Sequence, residues 1–245
     1  MNRRFYDAHA DAFVRKRQYA WRGWARVPVP PPGPRRGRVR LLDVGCGHGR
    51  FLADWIAKGR PPVDYVGVDF SPVLLERARW TAKPRPADTV AWREASLPDP
   101  AVDFEAPFDL VVAFGVAHHV AGAERRRAFL RQLASFARPG GLVVVTVWRF
   151  GREPRFLGRG RPPPAEIAAM DPHATVLDFD GEGERLCVDL PDAETDAWAA
   201  SSGLVERDRF EADGQSGALN RYLVFVRADT SPPAAPTRRT SGSAK

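Results

Sequence analysis

Three glycines alternate within the stretch LLDVGCGHGR, at Gly45, Gly47 and Gly49, directly after a run of apolar residues. Glycine costs backbone order, so this spacing indicates left-handed conformations or a close approach that a side chain would block. A glycine-rich turn between a strand and a helix presents backbone amides and the helix N-terminus to a nucleotide-like ligand. The spacing therefore predicts a nucleotide-type site at this turn.

An acidic residue closes the second apolar run, where a carboxylate can accept hydrogen bonds from ribose hydroxyls. Asp69 ends the run twenty residues after Gly49. Dinucleotide sites use G-x-G-x-x-G, whereas here the glycines alternate as G-x-G-x-G. This difference favours a cofactor without a pyrophosphate, such as S-adenosylmethionine, whose amino-acid portion needs the backbone close by.

Two histidines and a group of arginines follow later apolar runs, at the sheet edge where open α/β folds bind their ligands. His118 and His119 come after FDLVVAFGV, and either could orient a substrate or act as a general base. The alternative is that His119 packs beside the cofactor and His118 caps a helix. Arg149, Arg152 and Arg155 follow LVVVTVW and favour an anionic substrate at the same edge.

Strands and helices alternate through the middle of the chain, which predicts an α/β fold with a doubly wound, mostly parallel sheet. Five strands are expected at VRLLDV, DYVGVDF, TVAWREA, FDLVVAFGV and LVVVTVW. SPVLLERAR reads as a helix capped by Ser71, with Pro72 at its first position. GLVERDRF and NRYLVFVR add two closing strands, so we expect seven strands in a Rossmann-like arrangement.

The sequence also predicts how the chain is divided into an arm, a domain with an insert, and a tail. Residues 1–38 are expected to form a basic helical arm and a proline-rich linker, and residues 39–228 the α/β domain. An insert at about 150–185, which opens with RFGREPRFLGRGRPPP, reads as a loop or lid, and residues 229–245 as a disordered tail.

The charge is concentrated at the ends of the chain. Eleven basic residues against two acidic ones lie within residues 1–40, and the whole chain carries +7. A basic arm is typical of nucleic-acid binding, although an arginine-rich genome would produce much of the same bias. No apolar run long enough to span a membrane and no secretory leader is expected, which favours a cytoplasmic protein. Cys46 and Cys187 match no metal-ligand spacing, so we expect no metal.

Taken in order, these motifs resemble the class I S-adenosylmethionine-dependent methyltransferases. The resemblance covers roughly residues 39–149 and rests on LLDVGCGHGRFL, YVGVDFSPVLLERAR, the acid before SLP, FDLVVAFGVAHHV and RPGGLVVVTVW. A narrower resemblance, carried by FYDAHADAFVRKRQYAWRGW and by the double histidine followed by E-R-R, is to the tRNA wobble-uridine carboxymethyl methyltransferases. That family forms a methyl ester on a carboxymethylated uridine of the anticodon.

The resemblance implies a set of site residues. Those expected at the cofactor are Asp43, Gly45, Cys46, Gly47, Gly49, Asp69, Phe70, Glu94, Ala95 and Phe114; the catalytic pair is His118 and His119; and the substrate group is Tyr6, Arg15, Arg17, Arg125, Arg149 and Arg152. Plain structural roles remain open: a loop cap for Asp43, a small filler for Cys46, an amphipathic helix for residues 5–17, and a solvated helix face for Arg125.

The leading hypothesis is methyl-ester formation on tRNA. Methylation of an oxygen or nitrogen of a small metabolite is the alternative enzyme, with the insert shaping its lid. A non-catalytic cofactor-binding subunit of another protein is the alternative from a different class. Dependence on a small activator subunit is open as well.

Overall fold

A seven-stranded sheet forms the centre of the protein, within the residues 1–30, 37–105 and 107–229 that the computed structural model describes. The strands of the chain are β1 Val39–Val44, β2 Val63–Asp69, β3 Thr89–Glu94, β4 Phe108–Ala113, β5 Ala137–Trp148, β6 Ala174–Asp178, β7 Glu184–Val188, β8 Leu204–Ala212 and β9 Asn220–Arg227. The sheet order is β3-β2-β1-β4-β5-β9-β8. Strands β1 to β5 are parallel, and β9 is antiparallel to both of its neighbours. The predicted fold class is confirmed.

Helices cover both faces of the sheet. They are α1 Asn2–Ala8, α2 Ala10–Lys16, α3 Arg50–Ala57, α4 Pro72–Thr81, α5 Ala123–Phe136, α6 Ala165–Met170, α7 Asp192–Asp196 and α8 Trp198–Ser202. One apolar cluster joins Phe51 and Trp55 of α3 to the sheet, and the other joins Phe129 of α5 and Trp198 of α8 to the opposite face. Burial on both faces explains why β4 and β5 read as continuous apolar runs.

The start of α4 is as the sequence predicts. The Ser71 side chain accepts a hydrogen bond from the Leu74 amide at 3.3 Å, and Pro72 occupies the first helical position. The cap places α4 directly after Asp69, so the second strand, its acid and the next helix form one continuous unit.

The N-terminal segment and the insert pack on each other. The expected insert contains two short 3-10 turns, at Phe150–Arg152 and Pro154–Phe156, then α6 and a β6–β7 hairpin. The Asn2 side chain donates to the Leu186 carbonyl at 3.0 Å and accepts from the Leu186 amide at 2.8 Å. These bonds attach α1 to β7, so arm and hairpin form one roof above the sheet edge. Part of the predicted linker, 31–36, and nearly all of the predicted tail, 230–245, lie outside the described residues.

Candidate active site

A cavity of about 630 Å³ opens at the carboxyl ends of β1, β2 and β4. Its floor is the loop after β1, and its roof is formed by α1 and the β6–β7 hairpin through Tyr6, Arg185 and Leu186. This is the edge at which a parallel α/β sheet binds its ligand. The volume is in the range of small-molecule and cofactor sites.

The glycine loop adopts the conformations that its spacing predicts. Gly45, Gly47 and Gly49 have φ of +71°, +55° and +77°. A Cβ at Gly45 would lie 2.2 Å from a methyl group of Val116, whereas a Cβ at Gly47 would meet no atom within 4 Å. Gly45 therefore allows close packing against the wall. Gly47 supplies the left-handed turn beside open cavity space.

Asp69 connects this loop to the second strand. One carboxylate oxygen accepts from the Gly47 amide at 2.8 Å, and the other accepts from the Ser71 amide at 2.9 Å. Burial raises the pKa of Asp69 to about 6, against the opposing effect of these amide hydrogen bonds. The carboxylate lines the cavity and still has lone pairs for a ligand hydroxyl.

Most residues expected at the cofactor come together around this loop. Those on the cavity wall are Asp43, Gly45, Cys46, Gly47, Asp69, Phe70, Ala95 and Phe114. Burial raises the pKa of Asp43 to about 7, although the Tyr65 hydroxyl donates to it at 2.8 Å and acts in the opposite direction. Burial also raises the pKa of the Cys46 thiol, which fits a small filler better than a nucleophile.

Two expected cofactor residues lie outside the wall. Gly49 faces the opposite way, where a Cβ would lie 3.0 Å from Trp92, and it serves as the N-cap of α3. The half-exposed Glu94 side chain pairs with Arg3 at 3.1 Å. Glu94 thus faces the N-terminal arm, and its neighbour Ala95 lines the cavity in its place.

The two histidines stand side by side on the wall, with their ring centroids 4.2 Å apart. His119 Nδ1 lies 2.8 Å from the Leu186 carbonyl, and His119 Nε2 lies 3.0 Å from the Tyr6 hydroxyl. Because a carbonyl can only accept, Nδ1 carries the proton, and Nε2 accepts the hydrogen bond that Tyr6 donates. Both nitrogens of His119 are therefore occupied. His118 Nδ1, in contrast, is buried without a partner among the described residues.

Both rings are held neutral. Burial, followed by the nearby positive charge of Arg185, lowers the pKa of His119 to about 4. Burial, followed by the charges of His119 and Arg185, lowers the pKa of His118 well below its usual value. Neither ring is poised to exchange a proton near neutral pH, so this geometry suits positioning better than base catalysis.

The structure divides the expected substrate residues into two groups. Tyr6, Arg17 and Arg125 line the cavity, whereas Arg15 is exposed outside it. Arg149 and Arg152 are also absent from the wall that the described residues form.

Arg149 and Arg152 turn towards acids at the start of α7. Arg149 is buried and pairs with Asp192 at 2.7 Å, and the exposed Arg152 pairs with the same carboxylate at 3.0 Å. We expected both at the ligand edge because they follow β5. The tertiary structure places Asp192 next to them as a counter-charge, although Nη1 and Nη2 of Arg149 have no hydrogen-bond partner among the described residues.

The E-R-R segment also splits. Arg125 lines the cavity, but Arg126 is 1% exposed and pairs with Asp171 and Glu194. Arg127 pairs with Glu124 on the helix surface. Of the two arginines of E-R-R, Arg125 can therefore reach a ligand and Arg126 pairs within the fold, as does Arg127, the residue that follows the segment.

Sequence reasoning missed Arg185, which lies on β7 inside the cavity wall. Its side chain is buried, and its guanidinium carbon lies 4.7 Å from the centre of the Phe179 ring and 5.5 Å from that of Trp148. The Asp180–Gly181 pair could have revealed the hairpin that carries it, because D-G between alternating residues is typical of a tight β-turn. Both residues indeed have positive φ.

Residues 42–143 match a family model described as a methyltransferase domain. These residues therefore carry a methyltransferase domain, as the sequence resemblance predicts. S-adenosylmethionine is the cofactor of this methyltransferase domain, as the glycine spacing predicts. The cradle around Gly47, with Asp43 and Asp69 on the wall, provides the backbone approach and the acceptors that such a ligand needs.

The methyltransferase domain has relatives of known name. The chain is 28% identical over 151 residues to the tRNA (carboxymethyluridine(34)-5-O)-methyltransferase of Arabidopsis thaliana. This match covers 61% of the chain and 33% of that protein. The chain thus spans about a third of the length of this relative. Nothing in residues 1–30, 37–105 and 107–229 forms a helix both long and apolar enough to cross a membrane.

Solved structures share the fold of the methyltransferase domain. A methyltransferase of Haloferax volcanii, solved in complex with the Trm112 methyltransferase activator, aligns with a TM-score of 0.62 at 16% identity over 94% of this chain and 99% of the other. An S-adenosylmethionine-dependent methyltransferase of Methanosarcina mazei aligns with a TM-score of 0.62 at 14% identity, over 79% and 94% of the two chains. At these identities the likeness concerns the fold.

Proposed function

We propose that this chain transfers the methyl group of S-adenosylmethionine to a carboxylate, and that the acceptor is a carboxymethylated wobble uridine of tRNA. The observation that carries the proposal is the charge of the cavity. Among the described residues, six arginines line the wall against three aspartates. A wall of this composition attracts an anionic acceptor.

The neutral histidine pair agrees with an acceptor that is already ionised. A carboxylate of ordinary pKa, about 4, needs no base near neutral pH, whereas a hydroxyl or an ammonium group would need one. S-adenosylmethionine supplies an electrophilic methyl group, and its transfer to a carboxylate forms a neutral ester without moving a proton. The role that remains for Tyr6 and His119 is to fix the shape of the wall against which the acceptor lies in line with the methyl group, and such positioning accounts for a large share of the rate in these reactions.

Two further observations support tRNA as the carrier of the carboxylate. The Arabidopsis relative is named for the carboxymethyluridine at position 34. The N-terminal helices supply Arg3 and Arg17 to the cavity wall, whereas Arg4, Arg15 and Lys16 of the same helices are exposed. Arginines of this kind suit contacts to the phosphate backbone around a base inserted into the cavity.

The proposal is tested with methyl-labelled S-adenosylmethionine and tRNA from cells that lack their own wobble-ester methyltransferase. Label in the tRNA is counted before and after mild alkali, which cleaves a methyl ester but spares methylated bases and ribose. The assay is run with the chain alone and with a Trm112-type activator added, since the Haloferax neighbour was solved with one.

Alkali-labile label in tRNA is the expected result. Alkali-stable label would move the acceptor to a base or a ribose, and would overturn the carboxylate. No label under either condition, with cofactor binding confirmed by calorimetry, would overturn tRNA as the substrate and favour a small metabolite or a non-catalytic role. Turnover should also fall steeply with added salt, because phosphate contacts release counterions.

A further inference from the structure

The buried arginines of this protein differ in what neutralises them. Arg126 pairs with Asp171 and Glu194, and Arg149 pairs with Asp192. Arg185 is just as inaccessible, at 4% exposure, but no acidic side chain of the described residues forms an ion pair with it. A buried charge without a counter-charge is costly, so its position needs an explanation.

Aromatic rings surround the Arg185 guanidinium instead of acids. Its carbon lies 4.7 Å from the ring centre of Phe179, 5.4 Å from that of Phe5 and 5.5 Å from that of Trp148. Ring faces attract a cation but leave its N–H donors without acceptors. Indeed, the Arg185 Nε atom is buried with no hydrogen-bond partner in the described structure.

Arg185 lines the cavity together with the groups expected to handle the acceptor. Its positive charge lowers the pKa of His118 and of His119, after the larger effect of burial on each. The same charge opposes the rise that burial causes in the pKa of Tyr6. Arg185 therefore lies within electrostatic reach of the Tyr6–His119 pair, and all four residues line the same wall.

We propose that Arg185 binds the carboxylate of the methyl acceptor, an inference that rests on the carboxylate acceptor proposed above. The planar guanidinium matches a carboxylate in shape and charge, Arg185 lines the cavity, and its Nε donor has no partner among the described residues. A backbone phosphate of a polynucleotide is a poorer fit, because Arg185 is only 4% exposed, and a side group of an inserted base can reach a buried position that the backbone cannot.

This placement has a consequence for product release. The carboxylate carries a negative charge and the methyl ester carries none, so the attraction to Arg185 disappears once the ester has formed. Arg185 thus selects the acid over its neutral relatives and favours departure of the ester. It is a specificity-determining residue, because its contact is at least as strong in the ground state as in the transition state.

The test uses calorimetry to compare two nucleosides of nearly the same shape, one carrying a carboxylate and the other a neutral amide. 5-Carboxymethyluridine and 5-carbamoylmethyluridine are titrated into the full chain saturated with S-adenosylhomocysteine, for the wild type and for R185M, R185K and R207M. Methionine keeps the length of the side chain without its charge, and lysine keeps the charge without the fork. Arg207 is exposed on β8 outside the cavity wall and serves as the matched control.

We expect wild type and R207M to prefer the acid over the amide by roughly 10- to 100-fold, as one charge-assisted contact provides. R185M should bind both nucleosides equally, and R185K should fall between. In turnover, R185M should raise KM for the acceptor and change kcat little. Unchanged S-adenosylhomocysteine affinity and circular dichroism show that R185M is folded.

Any other result identifies which of the two proposals, the Arg185 contact or the tRNA substrate, is wrong. If R185M keeps the preference for the acid, Arg185 is not the carboxylate contact, while ester formation on tRNA stands by its own assay. If the wild type binds the two nucleosides equally, or shows no binding of the acid up to its solubility, the inference is overturned. If the preference depends on Arg185 but tRNA takes no label, the contact stands and the tRNA substrate falls.

Discussion

The Tyr6 hydroxyl lies 3.0 Å from Nε2 of His119, which joins the N-terminal helix to the loop after β4 across 113 positions of sequence. On its other side, the His119 ring is held by the Leu186 carbonyl at 2.8 Å. A strand-end loop, the arm and the hairpin therefore meet at one imidazole. The roof of the cavity and its histidine pair form a single unit.

Removing the Tyr6 hydroxyl tests this unit. In Y6F, His119 Nε2 loses its donor, and we expect kcat/KM to fall about 3- to 10-fold, as the loss of one neutral hydrogen bond predicts. Affinity for S-adenosylhomocysteine should not change. Y19F is the control, because Tyr19 is 86% exposed. An equal loss in cofactor affinity would mean that Tyr6 shapes the cofactor site instead.

The neutral histidines should add no titration of their own to the pH profile of turnover. Burial lowers the pKa of His119 to about 4 and that of His118 well below its usual value, so neither changes charge between pH 6 and 8. At saturating cofactor and acceptor, neither histidine should contribute a limb to the pH profile of kcat over this range, since neither titrates as a general base. A limb near pH 6.5 that disappears in H118Q or H119Q would contradict the assignment.

The titration of Asp43 should make the free energy of unfolding depend on pH. Burial raises its pKa from 3.8 to about 7, so near pH 5 the folded protein holds a proton that the unfolded chain releases. That proton stabilises the fold, and the stabilisation is lost as the pH rises through 7. Asparagine cannot titrate, so D43N should gain about 2–3 kcal/mol in free energy of unfolding relative to wild type between pH 5 and pH 8.

Urea unfolding of the cofactor-free protein at the two pH values measures this gain. D208N removes an exposed carboxylate and serves as the control. A constant difference between D43N and wild type would show that Asp43 is ionised in the fold throughout this range.

Replacing Arg126, the second arginine of the E-R-R segment, should destabilise the fold. Arg126 is 1% exposed, with Nε 2.6 Å from Glu194 and Nη1 paired with Asp171. R126M leaves both carboxylates without their partner and should lower the free energy of unfolding by about 3–5 kcal/mol. R127M, which breaks the surface pair with Glu124, should change it little. Equal effects of the two variants would refute the structural role of Arg126.

The sequence by itself determined the sheet, the glycine loop and the acid after β2. These features are local: a strand, a left-handed turn and a capped helix are contiguous in the chain, so the spacing of Gly45, Gly47 and Asp69 carries their geometry. The positions of His118 and His119 at the sheet edge follow from the same strand-by-strand logic.

Only the tertiary structure decided which arginines face the ligand. Arg149 and Arg152 follow β5 as the sequence indicates, yet the fold brings Asp192 to them from 40 or more positions away and neutralises them. Arg185 lies in a hairpin 66 positions after His119, and no local pattern links the two. Whether a charge is paired or left for a ligand depends on what folds back against it, which is a property of long-range packing and not of spacing.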